Sequence, residues 1–333
     1  MKIVRFIGAG ALGLLFADQM RRNMPEGGKV EFVMDADRLD RHRKDTYTIN
    51  GEEVHFDMLT PEQAQEEGPA DLILVGVKYP QLASAMETMA SSMGEDTILL
   101  SMMNGVDSEE LLGKKFGREK VLFNVSQGMD AQRYGTSLTY TQHGYLYIGV
   151  PFEEQLAVLD AQNPLTQEQA KGLHQTLLVK LDAVCSFFDE SGVSYVREED
   201  ILHRIWSKFM LNVGCNQVCM VADKGYGPCL EPGSLEFALM TGAMREVCAL
   251  AQAKGISVGE KELAEYIALE KTLDPNAVPS MGQDRRQKRP SEVEMFAGTV
   301  IRQGRELGLE MPVNEYLLRR VREIEGQYEI VSV

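Results

Sequence analysis

Up to Val150 the chain alternates short apolar runs with segments whose apolar positions recur at helical spacing. Residues 2–7, 29–34, 71–77, 97–102 and 121–125 read as strands. A helix is predicted over residues 12–22, with others after Tyr79 and after Ser108. This alternation predicts an α/β domain, a doubly wound parallel sheet covered by helices on both faces. Residues 135–150 break the pattern. Gly135-Thr-Ser-Leu-Thr-Tyr-Thr and Tyr145-Leu-Tyr-Ile-Gly-Val, separated by Gln142-His143-Gly144, predict a hairpin at the domain's edge.

After Pro151 a polar stretch that includes Asp160-Ala-Gln-Asn-Pro164 leads into residues 166–192, where the spacing becomes helical. From Asp200 onward almost everything reads as helix. The length of 333 residues exceeds the size at which one core stops growing, so two domains are expected. The expected division is an α/β domain over residues 1–195 and an all-helical domain over 196–333.

Composition narrows the partners. A net charge of −16 argues against nucleic acid, whose phosphates need clustered Lys and Arg. An anionic ligand must then be met by local features, a helix N-terminus or a well-placed cation. The five cysteines form no CxxC pair, which fits a reducing cytoplasm, and no His or Cys nearby completes a metal set around Cys215 and Cys219. Met1-Lys2 precedes an apolar run, but Arg5 breaks it and glycines follow at motif spacing, so it reads as a strand rather than a secretory leader. No run reaches the length of a membrane span.

The first strand runs into Gly8-Ala-Gly-Ala-Leu-Gly13. Gly8 permits the tight turn, Gly10 lets a pyrophosphate approach the backbone, and Gly13 lets the helix pack close to the strand. The N–H groups at the helix start, on Ala11 and Leu12, face the phosphates. Lying between a strand and a helix, the motif predicts a dinucleotide, NADH or NADPH. Asp35 at the end of the second strand suits the free ribose hydroxyls of NAD, while Arg38 would neutralise a 2′-phosphate. Lys78 and Asn104 follow two further strands, where a cofactor lies in open α/β sheets.

Further along, Lys208, Asn212 and Asn216 stand four apart and stack on one face of a helix that is otherwise apolar. A polar line on a buried helix must find partners or face a ligand cavity. Lys208 is a candidate proton donor to a carbonyl oxygen; His203 lies off the line. In the third region Pro290-Ser291 followed by Glu294 has the spacing of a capping box. Glu292 lies at the first helical position, where it serves either as first-turn acid or as a group pointing into a cleft.

In this order the pieces resemble the ketopantoate reductase (2-dehydropantoate 2-reductase) family. The matching segments are Gly8-x-Gly10-x-x-Gly13, Val75-Gly-Val-Lys78, Met103-Asn-Gly-Val106, Trp206-Ser-Lys-Phe-Met-Leu-Asn212 with Asn216, Pro279-Ser-Met-x-Gln-Asp284, Pro290-Ser-Glu292 and Gly308-Leu-Glu-Met-Pro-Val-Asn314. The resemblance implies a Rossmann domain and a helical domain with the active site in the cleft between them. It implies reduction of a branched 2-oxo acid, ketopantoate to pantoate on the route to pantothenate and coenzyme A, with NADPH in most members. It further implies Lys208 as general acid, Glu292 orienting the reacting oxygen, and Asn212, Asn216 and Ser280 holding the substrate. Lys78 and Asn104 would lie along the cofactor. The chain departs from the family in having Asp35 where members commonly place an Arg, Gln217 where Pro is common, and Lys224-Gly-Tyr-Gly227 where some place another Asn. A monomer and a homodimer are both compatible with the helical half.

Overall fold

The computed structural model describes residues 1–160 and 163–328. The chain divides into two compact units, Met1–Ile201 and Leu202–Val333.

In the first unit the chain runs β1 (Ile3–Ile7), α1 (Ala11–Arg22), β2 (Lys29–Val33), α2 (Ala36–His42), β3 (Tyr47–Ile49), β4 (Glu52–Val54), β5 (Asp57–Leu59), α3 (Pro61–Glu67), β6 (Leu72–Val75), α4 (Leu82–Met89), β7 (Ile98–Ser101) and α5 (Ser108–Phe116). It continues through β8 (Val121–Met129), β9 (Gln132–Tyr134), β10 (Ser137–Thr139), β11 (His143–Gly149), α6 (Glu153–Val158), α7 (Gln167–Ser191) and β12 (Tyr195–Arg197). The main sheet has the order β12-β11-β8-β7-β6-β1-β2-β5. From β5 to β8 all neighbours are parallel, as the sequence predicts.

The apolar runs are explained by two covered faces. Val4, Phe6, Leu72, Leu74 and Leu100 pack with Leu14, Leu177 and Phe188 of α1 and α7. The alternate residues Ile7, Ile73, Val75 and Leu99 pack with Leu82, Met89 and Leu112 of α4 and α5. Both sets are sealed from water, so a polar side chain buried there calls for a partner. Arg5 has one: fully buried, it sits opposite Glu31 in the β1–β2 register, with Nε 3.0 Å from Oε2.

One sequence expectation fails here. The predicted hairpin of residues 135–150 does not form. Instead β11 pairs antiparallel with β8, while β10 joins a second sheet of order β4-β3-β10-β9. Alternation identifies strands but not their partners. The polar stretch after Pro151 contains the short helix α6, whereas Ala161 and Gln162 of the stretch lie outside the described residues.

The second unit is helical: α8 (Ile201–Ala222, whose first residue belongs to the first unit), α9 (Tyr226–Cys229), α10 (Leu235–Ala253), α11 (Glu260–Glu270), α12 (Ser280–Arg286), a π-helical turn Glu294–Gly298, α13 (Thr299–Glu306) and α14 (Pro312–Glu325). Its core gathers Met210, Val213, Met244, Val247, Phe296, Val300 and Leu317. Buried Asn314 ties three helices together. Its Nδ2 donates to Glu246 Oε2 at 2.7 Å, and its Oδ1 accepts from Gln217 Nε2 at 3.1 Å. Among the described residues no helix is long and apolar enough to cross a membrane.

Candidate active site

The first unit holds the glycine loop at the sheet's topological switch point, where β1 leads outward to β2 on one side and β6 lies on the other. Gly8 has φ +111°, and a Cβ there would meet the Gly76 carbonyl oxygen at 2.5 Å. Gly13 is as tightly placed, since a Cβ there would come within 2.2 Å of Gly8 O. Gly10 differs, since a Cβ there would meet nothing nearer than 3.5 Å. Packing therefore does not require glycine at 10. The open space in front of Gly10 and the N–H groups at the start of α1 fit a dinucleotide pyrophosphate.

Beside the loop lies a cavity of about 290 Å³ lined by Gly8, Ala9, Asp35, Arg38, Gln81 and Ser84 among others. Asp35 caps α2, its Oδ1 accepting from the Arg38 N–H at 2.8 Å. The other carboxylate oxygen is the one suited to a ribose hydroxyl. Lys78 and Asn104 lie outside this cavity, in the turns after β6 and β7. Sequence reasoning missed Gln81, Ser84 and Thr88, which line the same cavity. Their spacing of three and four, a polar stripe leading into α4, was the available signal.

The second unit assembles all the other candidates. On α8, Ile205, Trp206, Phe209, Met210 and Val213 are buried, so the Lys208–Asn212–Asn216 line is fixed by the apolar faces beside it. Asn216 Nδ2 donates to Asn212 Oδ1 at 3.2 Å. Ser280 Oγ, at the start of α12, donates to Asn216 Oδ1 at 3.4 Å. Arg285 ties α12 to α8: it reaches the carbonyls at the end of α8, donating to Met220 O and, at 2.9 Å, to Val221 O. Lys208 is half-buried, and the protein packed around it pushes its pKa down to about 8, while the Glu292 carboxylate pulls the other way.

Glu292 reaches this group through an irregular turn. Its carbonyl accepts from Met295 N at 3.0 Å and Phe296 N at 3.1 Å, and the π-helical turn follows. Phe296 packs on Phe209, the neighbour of Lys208, with ring centroids 6.3 Å apart. The capping box expected at Ser291 is not closed. The Ser291 N–H donates to Glu325 Oε1 at 2.7 Å, and Glu294 pairs with Arg322 at 2.6 Å. Long-range partners outcompete the local signature.

Two departures noted in the sequence take on structural meaning. Gln217 is fully buried, donating to Val213 O and Asn314, so it braces α8. Tyr226 and Gly227 donate backbone N–H groups to Ala277 O and Pro275 O, which supports the loop before Ser280. His203 pairs with Glu262 at 3.4 Å. The five cysteines are buried free thiols. Cys215 Sγ lies 4.0 Å from Cys219 Sγ and donates to Glu270, and among the described residues no group of three or more His, Cys, Asp or Glu is arranged for a metal.

A row of amides, a hydroxyl, a lysine held near neutrality and a carboxylate can bind an oxo acid and deliver a proton to its carbonyl. Comparison with known proteins points to one family. The family model for ketopantoate reductase PanE/ApbA matches residues 4–151, and the model for its C-terminal part matches residues 200–325. A 2-dehydropantoate 2-reductase of Archaeoglobus fulgidus is 26% identical over 329 residues, covering 97% of this chain and 98% of that protein. A solved PanE/ApbA family ketopantoate reductase from Ralstonia eutropha is 21% identical, with TM-score 0.75 over 98% of this chain and 99% of that one. D-mandelate dehydrogenase, solved with NADH and anilino(oxo)acetate, is 20% identical, with TM-score 0.76 over 98% and 99%.

Proposed function

The chain belongs to the ketopantoate reductase family, oxidoreductases that act on a CH–OH group with a nicotinamide cofactor, and from that premise we propose that it reduces 2-dehydropantoate to pantoate. The observation that carries this reading is the hydrogen-bonded row Asn212–Asn216–Ser280 on the face that bears Lys208, with Glu292 acting on the lysine. Asn212, Asn216 and Ser280 bind the substrate's carboxylate and hydroxyl in place of water, and Lys208 hydrogen-bonds the ketone oxygen. A bound nicotinamide supplies the hydride. Lys208 Nζ gives its proton to the oxygen as negative charge develops there, and Glu292 keeps the lysine charged until then.

Gly8, Gly10 and Gly13, with the N–H groups of Ala11 and Leu12, hold the pyrophosphate; Lys78 and Asn104 line the cofactor beyond it. Asp35 selects NADH over NADPH, because a carboxylate pairs with free ribose hydroxyls and repels a 2′-phosphate, with Arg38 moderating the preference. The test is NADH and NADPH oxidation with ketopantoate and a panel of 2-oxo acids that includes an aryl member. Wild type turns over ketopantoate best, and Lys208→Ala loses roughly 10²–10⁴ in kcat. Near-full activity in Lys208→Ala would remove the lysine from its role. A better rate with an aryl 2-oxo acid would support a second reading, a reductase of another small 2-oxo acid. The D-mandelate dehydrogenase likeness and the Gln217 and Tyr226 departures favour that alternative.

A further inference from the structure

The small sheet β4-β3-β10-β9 has no part in the reading above, yet it carries a cation to the glycine loop. Arg133 lies on β9, paired with Leu138 of β10. Leu138 is fully buried in the core under α1, the helix that begins at the loop, so the hairpin is anchored there. From this anchor the Arg133 side chain is held at three points. Its Nε donates to Gly135 O at 2.7 Å, its guanidinium lies 5.8 Å from the centroid of the buried Tyr47 ring, and its Nη1 donates to the carbonyl of Ala9, inside the Gly8–Gly13 motif.

Every one of these partners is neutral. Among the described residues no carboxylate pairs with Arg133, although the chain has 50 acidic residues to 34 basic ones. A half-buried guanidinium with its charge unanswered, fixed against a loop built for an anion, is poised for that anion. The two carbonyls use only part of its donor set, and N–H groups remain for a ligand. In an acidic chain this is the local positive feature that a diphosphate requires.

We propose that Arg133 is a pyrophosphate ligand of the dinucleotide, supplying the charge that the loop's N–H groups lack. The inference rests on the glycine loop holding a dinucleotide. Arg133→Met and Arg133→Lys are compared with wild type for affinity to NADH, ADP-ribose and adenosine, together with Tm. Arg133→Met weakens NADH and ADP-ribose by about tenfold or more, the value of a hydrogen bond to a charged group, and leaves adenosine unchanged. Arg133→Lys recovers part of the loss. Equal weakening of all three ligands would mean that Arg133 merely props the loop, and unchanged affinity for ADP-ribose would also overturn the proposal. Failure of wild type to bind NADH or NADPH would instead remove the dinucleotide reading itself.

Discussion

A lysine that gives a proton to a ketone must be charged to do so, and Lys208 with a pKa near 8 is charged at neutral pH but close to release. Burial lowers the value by penalising the ammonium, and Glu292 limits the fall. Ketone reduction needs the protonated form, so its rate is level below pH 8 and declines as pH rises through that value. Alcohol oxidation by the same site has the opposite limb. In Glu292→Gln the supporting negative charge is gone, so both limbs move to lower pH, which pH profiles of kcat in the two directions would reveal. A limb that stays in place would show that Glu292 does not act on Lys208. The effect on stability has its own sign. The folded value lies below the ordinary lysine value near 10.4, so the folded state releases its proton first. The cost of burying the charge is present in full below about pH 8, and stability rises with pH between about 8 and about 10.4.

Among the elements, the β1–β2 pair contains the sharpest test of what holds the sheet. Arg5 and Glu31 are both buried and face each other across adjacent strands, and Arg5 Nη1 also donates to Gly68 O at 2.8 Å. Burial raises the Glu31 pKa while Arg5 opposes the rise. Removing the arginine alone leaves a buried carboxyl whose cation is Lys29, with Nζ 3.6 Å from Glu31 Oε1. Arg5→Ala is expected to cost about 3–5 kcal/mol in urea unfolding, whereas the double change Arg5→Met with Glu31→Leu stays near wild type. A loss under about 1 kcal/mol in the single variant would mean that water reaches the pair. The same strands show what the sequence makes legible. Apolar runs disclose β1, β2, β6, β7 and β8 because both faces are covered, and four-residue spacing discloses the Lys208–Asn212–Asn216 row. The three-residue strands β3, β4, β5, β9 and β12 are too short to carry a period, and Arg5 interrupts a run with no local sign of Glu31. Long-range choices stay hidden as well. The Ser291 N–H goes to Glu325, 34 residues away, and Arg133 meets Ala9 across 124.

On the scale of the whole molecule, a protein of net charge −16 must take up a ligand that is itself an anion. One charge pair separated by roughly 20 Å of water interacts by only about 0.2 kcal/mol, but the sum over so many like charges reaches several kcal/mol without screening. The Debye length falls from about 30 Å at 0.01 M salt to about 10 Å at 0.1 M, which removes most of this long-range term and leaves contacts at the loop nearly intact. Association and dissociation should therefore respond differently. Stopped-flow binding of NADH is expected to show an association rate that rises about two- to tenfold over that salt range, the reverse of a basic nucleotide-binding protein. The dissociation rate depends on contacts within a few ångströms of the phosphates and changes less. An association rate that falls with salt would mean that the local field of the α1 N-terminus, Arg38 and Arg133 outweighs the net charge at the distances from which the dinucleotide is captured.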